Sequence, residues 1–311
     1  MLSTSVEGAP GVTIDPLAPL GGGQYRDRLV TVVNGAAELP ATDVKVAATI
    51  SFELRRRGWQ LVVRHRVPDS SIDDSLTTLI NEELFVPGWV SGNAVFESIF
   101  TGVVVTSRPD PLDAWVLFYT NTMRHYVDAA LDDSSAEPSA QQALSSFIEI
   151  HREVDALVPR GASVLELGAC FGFLSLFLSR LPTREVIASD ISVGTMRLLS
   201  AVAGRLHVAV DTLVADAARI PRPDSSVDVV LMIHLLEHLE PRHGRQAVAE
   251  ALRVASRRVV IAVPYEQEAT AAYGHVRTIN ETDLRALGEQ AAGWDFSVHE
   301  KHGGWLVLDR R

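Results

Sequence analysis

From Ala143 onward, short apolar runs alternate with stretches whose apolar residues recur every three or four positions: SVLEL, FLSLFLSRL, EVIAS, SVGTMRLLSAVAGRL, DTLVA, VDVVLMI, RQAVAEALRVA, RVVIAV. A strand with one wet face alternates apolar and polar residues, whereas these runs are apolar throughout and need cover on both faces. Strands that take turns with helices are joined by crossovers and lie parallel. The pattern predicts a doubly wound α/β domain over residues 138–311. The closing GWDFSVHE and HGGWLVLDR read as an antiparallel hairpin around a His-Gly-Gly turn, which brings the mostly parallel sheet to seven strands.

The earlier part of the chain has no such regularity. Residues 1–27, rich in Gly, Pro, Ser and Thr, read as a disordered tail. Residues 28–137 read as an α+β region. RLVTVV and WQLVVRHRV are strands flanking the turn-like NGAAELP and RRRGW, and SSIDDSLTTLINEELF, GNAVFESIFTGVVV and PLDAWVLFYTNTMRHYVDAAL are helices. The polar run Asp132–Gln142 marks the boundary as a linker or helix entry.

A net charge of -11 excludes broad nucleic-acid or anionic-lipid surfaces, which would be repelled. The basic stretch Leu54–Arg66 reads as a solvated or internally paired strand face. No apolar run approaches the roughly 20 residues that span a bilayer, and no basic-then-apolar leader opens the chain. The one cysteine, Cys170, rules out an intramolecular disulfide and suits a reducing compartment. A soluble, cytoplasmic protein with a small-molecule partner is the expectation.

In doubly wound sheets ligands bind beyond the carboxyl ends of the strands, where strand order reverses. The loop ELGACFG places Gly168 and Gly172 there, four positions apart. It has neither the G-x-G-x-x-G of dinucleotide folds nor the G-K-[ST] ending of a phosphate loop. A carboxylate, Glu166, precedes it; Asp190 ends the second strand and Asp216 follows the third. Carboxylates can accept from ribose hydroxyls or an adenine amine, and they suit a cation where they would repel a diphosphate.

ELGACFG, ASD, ADAARIPRPDSSVDVV and IHLLEHL together resemble the successive motifs of class I S-adenosylmethionine (SAM)-dependent methyltransferases, from Ala143 to about Leu308. The resemblance implies the Rossmann-like methyltransferase fold and SAM as cofactor. It places Glu166, Gly168, Ala169, Cys170 and Gly172 around the methionine, Asp190 and Ile191 at the ribose, Asp216 and Ala217 at the adenine, and the His234 backbone against the cofactor. Residues 28–137 would then recognise the acceptor. VPGW, FESIFTGVV, DPLDAW, VPYE, YGHVR and HGGWLVLD also resemble actinobacterial methyltransferases that modify the mycofactocin oligosaccharide, which implies O-methylation of a glucose hydroxyl. Trp59, Trp89 and Trp115 are then candidate sugar platforms, with buried packing the default for each.

His234, Glu237 and His238 would share one helical face if IHLLEHLEPRHG is helical. Two readings of them stay open. One is a general base, His238 ahead of His275, because methyl transfer to a hydroxyl requires loss of its proton. The other is a divalent-metal site, since some quinone O-methyltransferases carry a similar E-x-x-E-H; His234 replaces the first Glu here, so no metal is assigned. The long loop PYEQEATAAYGHVRTINETDL brings Tyr265, Glu266, Tyr273, His275 and Arg277 to the same rim as substrate contacts.

Overall fold

The computed structural model describes residues 15–35, 43–131, 140–181, 183–270 and 274–311. The chain divides into two compact units, Met1–Ala140 and Gln141–Arg311.

The first unit holds a five-stranded sheet in the order β1-β2-β5-β4-β3, built from β1 (Gln24–Arg26), β2 (Val30–Asn34), β3 (Val44–Ala48), β4 (Phe52–Arg57) and β5 (Gln60–His65). β2 and β5 pair in parallel, and the other pairs are antiparallel. β1 lies within the stretch read as a tail: Tyr25 is buried and its hydroxyl donates to Asp27, 2.9 Å. The triple arginine read as part of a turn belongs to β4; only Gly58 and Trp59 turn the chain, with Gly58 at φ 63°. The basic stretch is internally paired. Glu53 faces Arg64 across the strands and also meets Arg55 and Arg66, and Arg57 binds Asp43.

Behind these strands come α1 (Leu76–Ile80), which continues into a wide turn over Asn81–Phe85, then α2 (Asn93–Val105) and α3 (Pro111–Leu131). Gly102 of α2 crosses β2 so closely that a Cβ there would lie 2.3 Å from Val32. Phe100, Trp115, Phe118 and Tyr119 pack ring against ring. Trp115 is 1% exposed and its indole N–H donates to the Pro16 carbonyl, 2.8 Å, so it is core and offers no sugar platform. Trp59 and Trp89 are exposed.

The second unit begins with α4 (Ala140–Leu157) and runs β6 (Ser163–Leu167), α5 (Phe173–Ser179), β7 (Glu185–Asp190), α6 (Val193–Leu206), β8 (Asp211–Val214), β9 (Val227–Ile233), α7 (Pro241–Val254), β10 (Ala255–Val263), α8 (Glu281–Gln290), β11 (Trp294–Glu300) and β12 (Gly304–Arg310). Its sheet is seven-stranded in the order β11-β12-β10-β9-β6-β7-β8, parallel from β10 to β8 and closed by the antiparallel β11–β12 hairpin. This is the doubly wound α/β fold that the apolar runs predict. Successive residues divide between two cores: Leu165, Val230 and Ile261 pack on one face, and Val164, Val229 and Val260 on the other. The strand period of two explains how a wholly apolar run serves both layers. Strand order reverses between β6 and β9, so the carboxyl ends of these two strands flank a crevice.

Candidate functional site

Glu166 lies near the carboxyl end of β6, 5% exposed, and its Oε2 accepts from the Ser175 hydroxyl of α5. Burial pushes its carboxyl up to about 7, the Ser175 hydrogen bonds only partly offsetting this. The loop that follows has left-handed backbone at Gly168 (φ 72°), Cys170 (φ 48°) and Gly172 (φ 73°). Neither glycine has room for a side chain: a Cβ on Gly168 would lie 2.7 Å from Leu235, and one on Gly172 2.4 Å from Leu199. Ala169 is tied to β7 by its N–H to the Ser189 carbonyl, 2.9 Å.

Asp190, at the end of β7, fixes the loop from the other side. Its Oδ2 accepts from the Cys170 N–H (3.0 Å) and its Oδ1 from the Ser192 N–H (2.8 Å). Ser192 in turn caps α6 through its hydroxyl, which accepts from the Thr195 N–H. Ile191 presents an aliphatic side chain to solvent at 70% exposure. Asp216 follows β8; its Oδ1 accepts both from the Ala218 N–H (2.9 Å) and, opposite the His243 ring, at 2.7 Å. The Ala218 hydrogen bond foremost, then His243, holds this carboxyl below its ordinary range. Ala217 is half-buried against the core. His243 was not singled out from the sequence. It lies 27 positions from Asp216, beyond any local pattern.

His234, Glu237 and His238 do not share a helix. His234 follows β9 in the left-handed region (φ 52°), its N–H donating to Ala262 of β10, and only Leu236–His238 forms a single 3-10 turn before Pro241 opens α7. The strand ladder holds His234 out of helical conformation. The fold nonetheless keeps two of them close: His234 Nδ1 is 3.4 Å from Glu237 Oε1. Glu237 is 1% exposed, and neither of its carboxylate oxygens has a hydrogen-bond partner among the described residues.

The β10–α8 loop folds back onto this turn. Val276 N–H donates to the Glu237 carbonyl (2.9 Å), Arg277 Nε to the Leu236 carbonyl (3.1 Å), and His238 Nδ1 lies 3.2 Å from the Gly274 carbonyl. His275 Nδ1 pairs with Glu266 Oε2 at 2.7 Å, and Thr270 donates to the other oxygen. Burial raises the Glu266 carboxyl, but the Thr270 and His275 hydrogen bonds outweigh it and hold the group below its ordinary range. The rings of His238 and His275 meet edge to face at 4.8 Å. Ligating atoms of Glu237, His238 and His275 lie within 4.8 Å of one another. Tyr265 packs its ring over Gly304, and Tyr273 lies outside the described residues.

Glycine loop, acidic strand ends and histidine cluster thus all stand at the carboxyl edge of one parallel sheet. Residues 164–257 match the family model described as "Methyltransferase domain". That span is a methyltransferase domain. The buried Glu166 carboxyl, only partly offset by Ser175, fits the domain's cofactor, SAM, which brings a sulfonium and an ammonium. No curated protein matches the chain. Among solved structures, a SAM-dependent methyltransferase from Aquifex aeolicus is 20% identical, covering 51% of this chain and 88% of its own, with a TM-score of 0.43. Magnesium protoporphyrin IX methyltransferase from Synechocystis PCC 6803, solved with bound S-adenosylhomocysteine, is 14% identical over 61% of this chain and 94% of its own, TM-score 0.47. The cyclase SpnF is 17% identical, covering 61% and 93%, TM-score 0.46. No helix among the described residues is long and apolar enough to cross a membrane.

Proposed function

We propose that the methyltransferase domain serves an O-methyltransferase whose acceptor is a hydroxyl of a small molecule, first among candidates a glucose of the mycofactocin oligosaccharide. The observation that carries the hydroxyl reading is the Glu266–His275 pair beside His238, at the sheet edge that also holds the glycine loop. A carboxylate that accepts from Nδ1–H fixes the tautomer and raises the basicity of the other ring nitrogen. Such a nitrogen is suited to take the hydroxyl proton.

When bound, SAM supplies a methyl group already electrophilic on sulfur. Glu166 would counter the cofactor's positive charge, and Gly168, Ala169, Cys170 and Gly172 would hold its methionine end. Asp190, aimed by its bonds to Cys170 and Ser192, would accept from the ribose hydroxyls, and Ile191 would cover the ribose. Asp216 and Ala217 would meet the adenine, and the backbone at the left-handed turn of His234 would face the cofactor. His275, oriented by Glu266, accepts the proton, and His238 lines the acceptor. The sequence order of preference, His238 first, is reversed because His275 has the carboxylate partner. Substrate recognition is assigned to residues 28–137, cytoplasmic location to the protein, and the acceptor subfamily to the resemblance of the quoted motifs.

A second reading is favoured by Glu237, whose buried carboxylate has no hydrogen-bond partner beside two imidazoles. Glu237, His238 and His275 could then hold a divalent cation that acidifies the hydroxyl directly. The deciding experiment incubates SAM with glucose-containing oligosaccharides, quinols and phenols and follows S-adenosylhomocysteine and methylated product by mass spectrometry. A methyl ether on a sugar is the expected product. Methyl transfer only to nitrogen or carbon acceptors would refute the hydroxyl reading. Activity that chelation abolishes and a divalent ion restores would replace the base by the metal.

A further inference from the structure

In the first unit, far in sequence from the methyltransferase domain, two adjacent carboxylates are buried with a histidine. Asp73 is fully buried and Asp74 half-buried, at the entry to α1; His125 belongs to α3. One ligating atom from each of the three lies within 4.8 Å of the others. Asp73 Oδ2, Asp74 Oδ1 and His125 Nδ1 are all buried atoms without a hydrogen-bond partner among the described residues. Asp73 Oδ2 faces His125 Nδ1 at 3.5 Å, beyond an ordinary N–H···O bond.

The scaffold around these atoms is fully bonded. Asp73 Oδ1 accepts from both the backbone and the hydroxyl of Ser75, and the Asp74 N–H donates to the Thr122 hydroxyl, 3.1 Å. Asn121 donates to the carbonyls of Asp69 and Ile72. Asn121, Thr122 and His125 lie four and three residues apart, so one face of α3 holds the acidic loop in place and carries the imidazole toward it. The arrangement positions three acceptor-capable atoms and leaves them facing one another.

We infer that Asp73, Asp74 and His125 form a binding site for one first-row divalent cation that clamps the α1 entry to α3. Two carboxylate oxygens and an imidazole nitrogen match the donor preferences of Zn2+ and Mn2+. The charges also balance: two carboxylates against one dication, with His125 neutral. The inference is independent of the acceptor and of the histidine cluster near α7. Because the ion binds the folded unit and not the unfolded chain, it stabilises the protein.

The test is titration of the full chain, freed of metal by chelator, with ZnCl2 and separately with MnCl2, by calorimetry and by thermal unfolding. The expected result is a tight equivalent and a raised melting temperature that survive in Glu237→Gln and are lost in Asp73→Asn. Removing a ligand should weaken binding beyond the roughly 10–100-fold typical of losing an outer partner. Should Asp73→Asn fail to fold, His125→Ala, whose side chain reaches the surface, gives the same readout. Unchanged Zn2+ and Mn2+ binding in His125→Ala, no binding to the wild-type chain, or loss of the equivalent in Glu237→Gln alone would overturn the proposal.

Discussion

Replacing Glu166 by Gln should stabilise the ligand-free protein at alkaline pH while weakening its hold on SAM. In the unfolded chain this carboxyl ionises near 4.5; in the fold, burial moves ionisation to about 7. Between those values the folded state retains a proton that the unfolded state has released, so stability falls as pH rises through that window and the loss is complete above it. At about 1.4 kcal/mol per pKa unit, the charged Glu166 costs the empty site roughly 3 kcal/mol above pH 7. Gln is the same size, can still meet Ser175, and has no charge to bury. Denaturant unfolding of both proteins from about pH 5 to pH 8 should therefore show Glu166→Gln gaining about 2.5 kcal/mol on the wild type across the range. Saturating SAM should shrink the difference, because its cation offsets the charge that Gln lacks. Parallel pH–stability curves would refute the claim that Glu166 titrates in place, and with it the electrostatic account of the glycine loop.

Asp190→Ala should weaken SAM binding by about 1–3 kcal/mol in calorimetry, since it removes an acceptor and leaves the Cys170 and Ser192 N–H groups without their partner. Unchanged affinity would remove Asp190 from the cofactor site. His275→Ala should lower turnover by roughly 10²–10⁴-fold with SAM affinity spared, and Glu266→Gln should flatten the rise of rate with pH; full turnover in both would move the base to His238. Cys170→Ala should bind SAM and turn over as the wild type does, because its N–H, not its thiol, is what Asp190 holds; loss of turnover with binding intact would show a role for the sulfur.

The second unit was legible because each strand needs apolar residues on both faces and each helix on one, so the sequence period changes at every junction. The α8 helix went unread although its signal is local: Asn280 caps it, and Asp283 three positions on bonds back to the Asn280 N–H. In the first unit, β3 and β4 were missed because FELRRR is polar on its face. Its strand character depends on Glu53 meeting arginines from a strand not yet paired in the sequence. The parallel β2–β5 pairing likewise joins segments separated in the chain by two other strands, β3 and β4. At the site, the strand-end acids followed from topology, whereas the Asp216–His243 and Glu266–His275 pairs depend on how loops return. The helical spacing of His234 and Glu237 misled, since β9 holds its hydrogen-bond ladder one residue further than the pattern suggests.

Among the described residues, the β10–α8 loop touches down on the turn after β9 through the hydrogen bonds of Gly274, Val276 and Arg277, while Glu266 and Thr270 stand on the outgoing arm. The strands and the glycine loop make none of those bonds. Acceptor chemistry is thereby separable from cofactor chemistry along the chain. An arm of different length or composition between Tyr265 and Gly274 leaves the sheet edge intact, provided that residues 274–277 keep their anchors. Such a loop is the natural place to retarget this scaffold toward a new nucleophile, whereas Gly303, in the left-handed region and with the Val263 carbonyl where a Cβ would stand, has no such freedom.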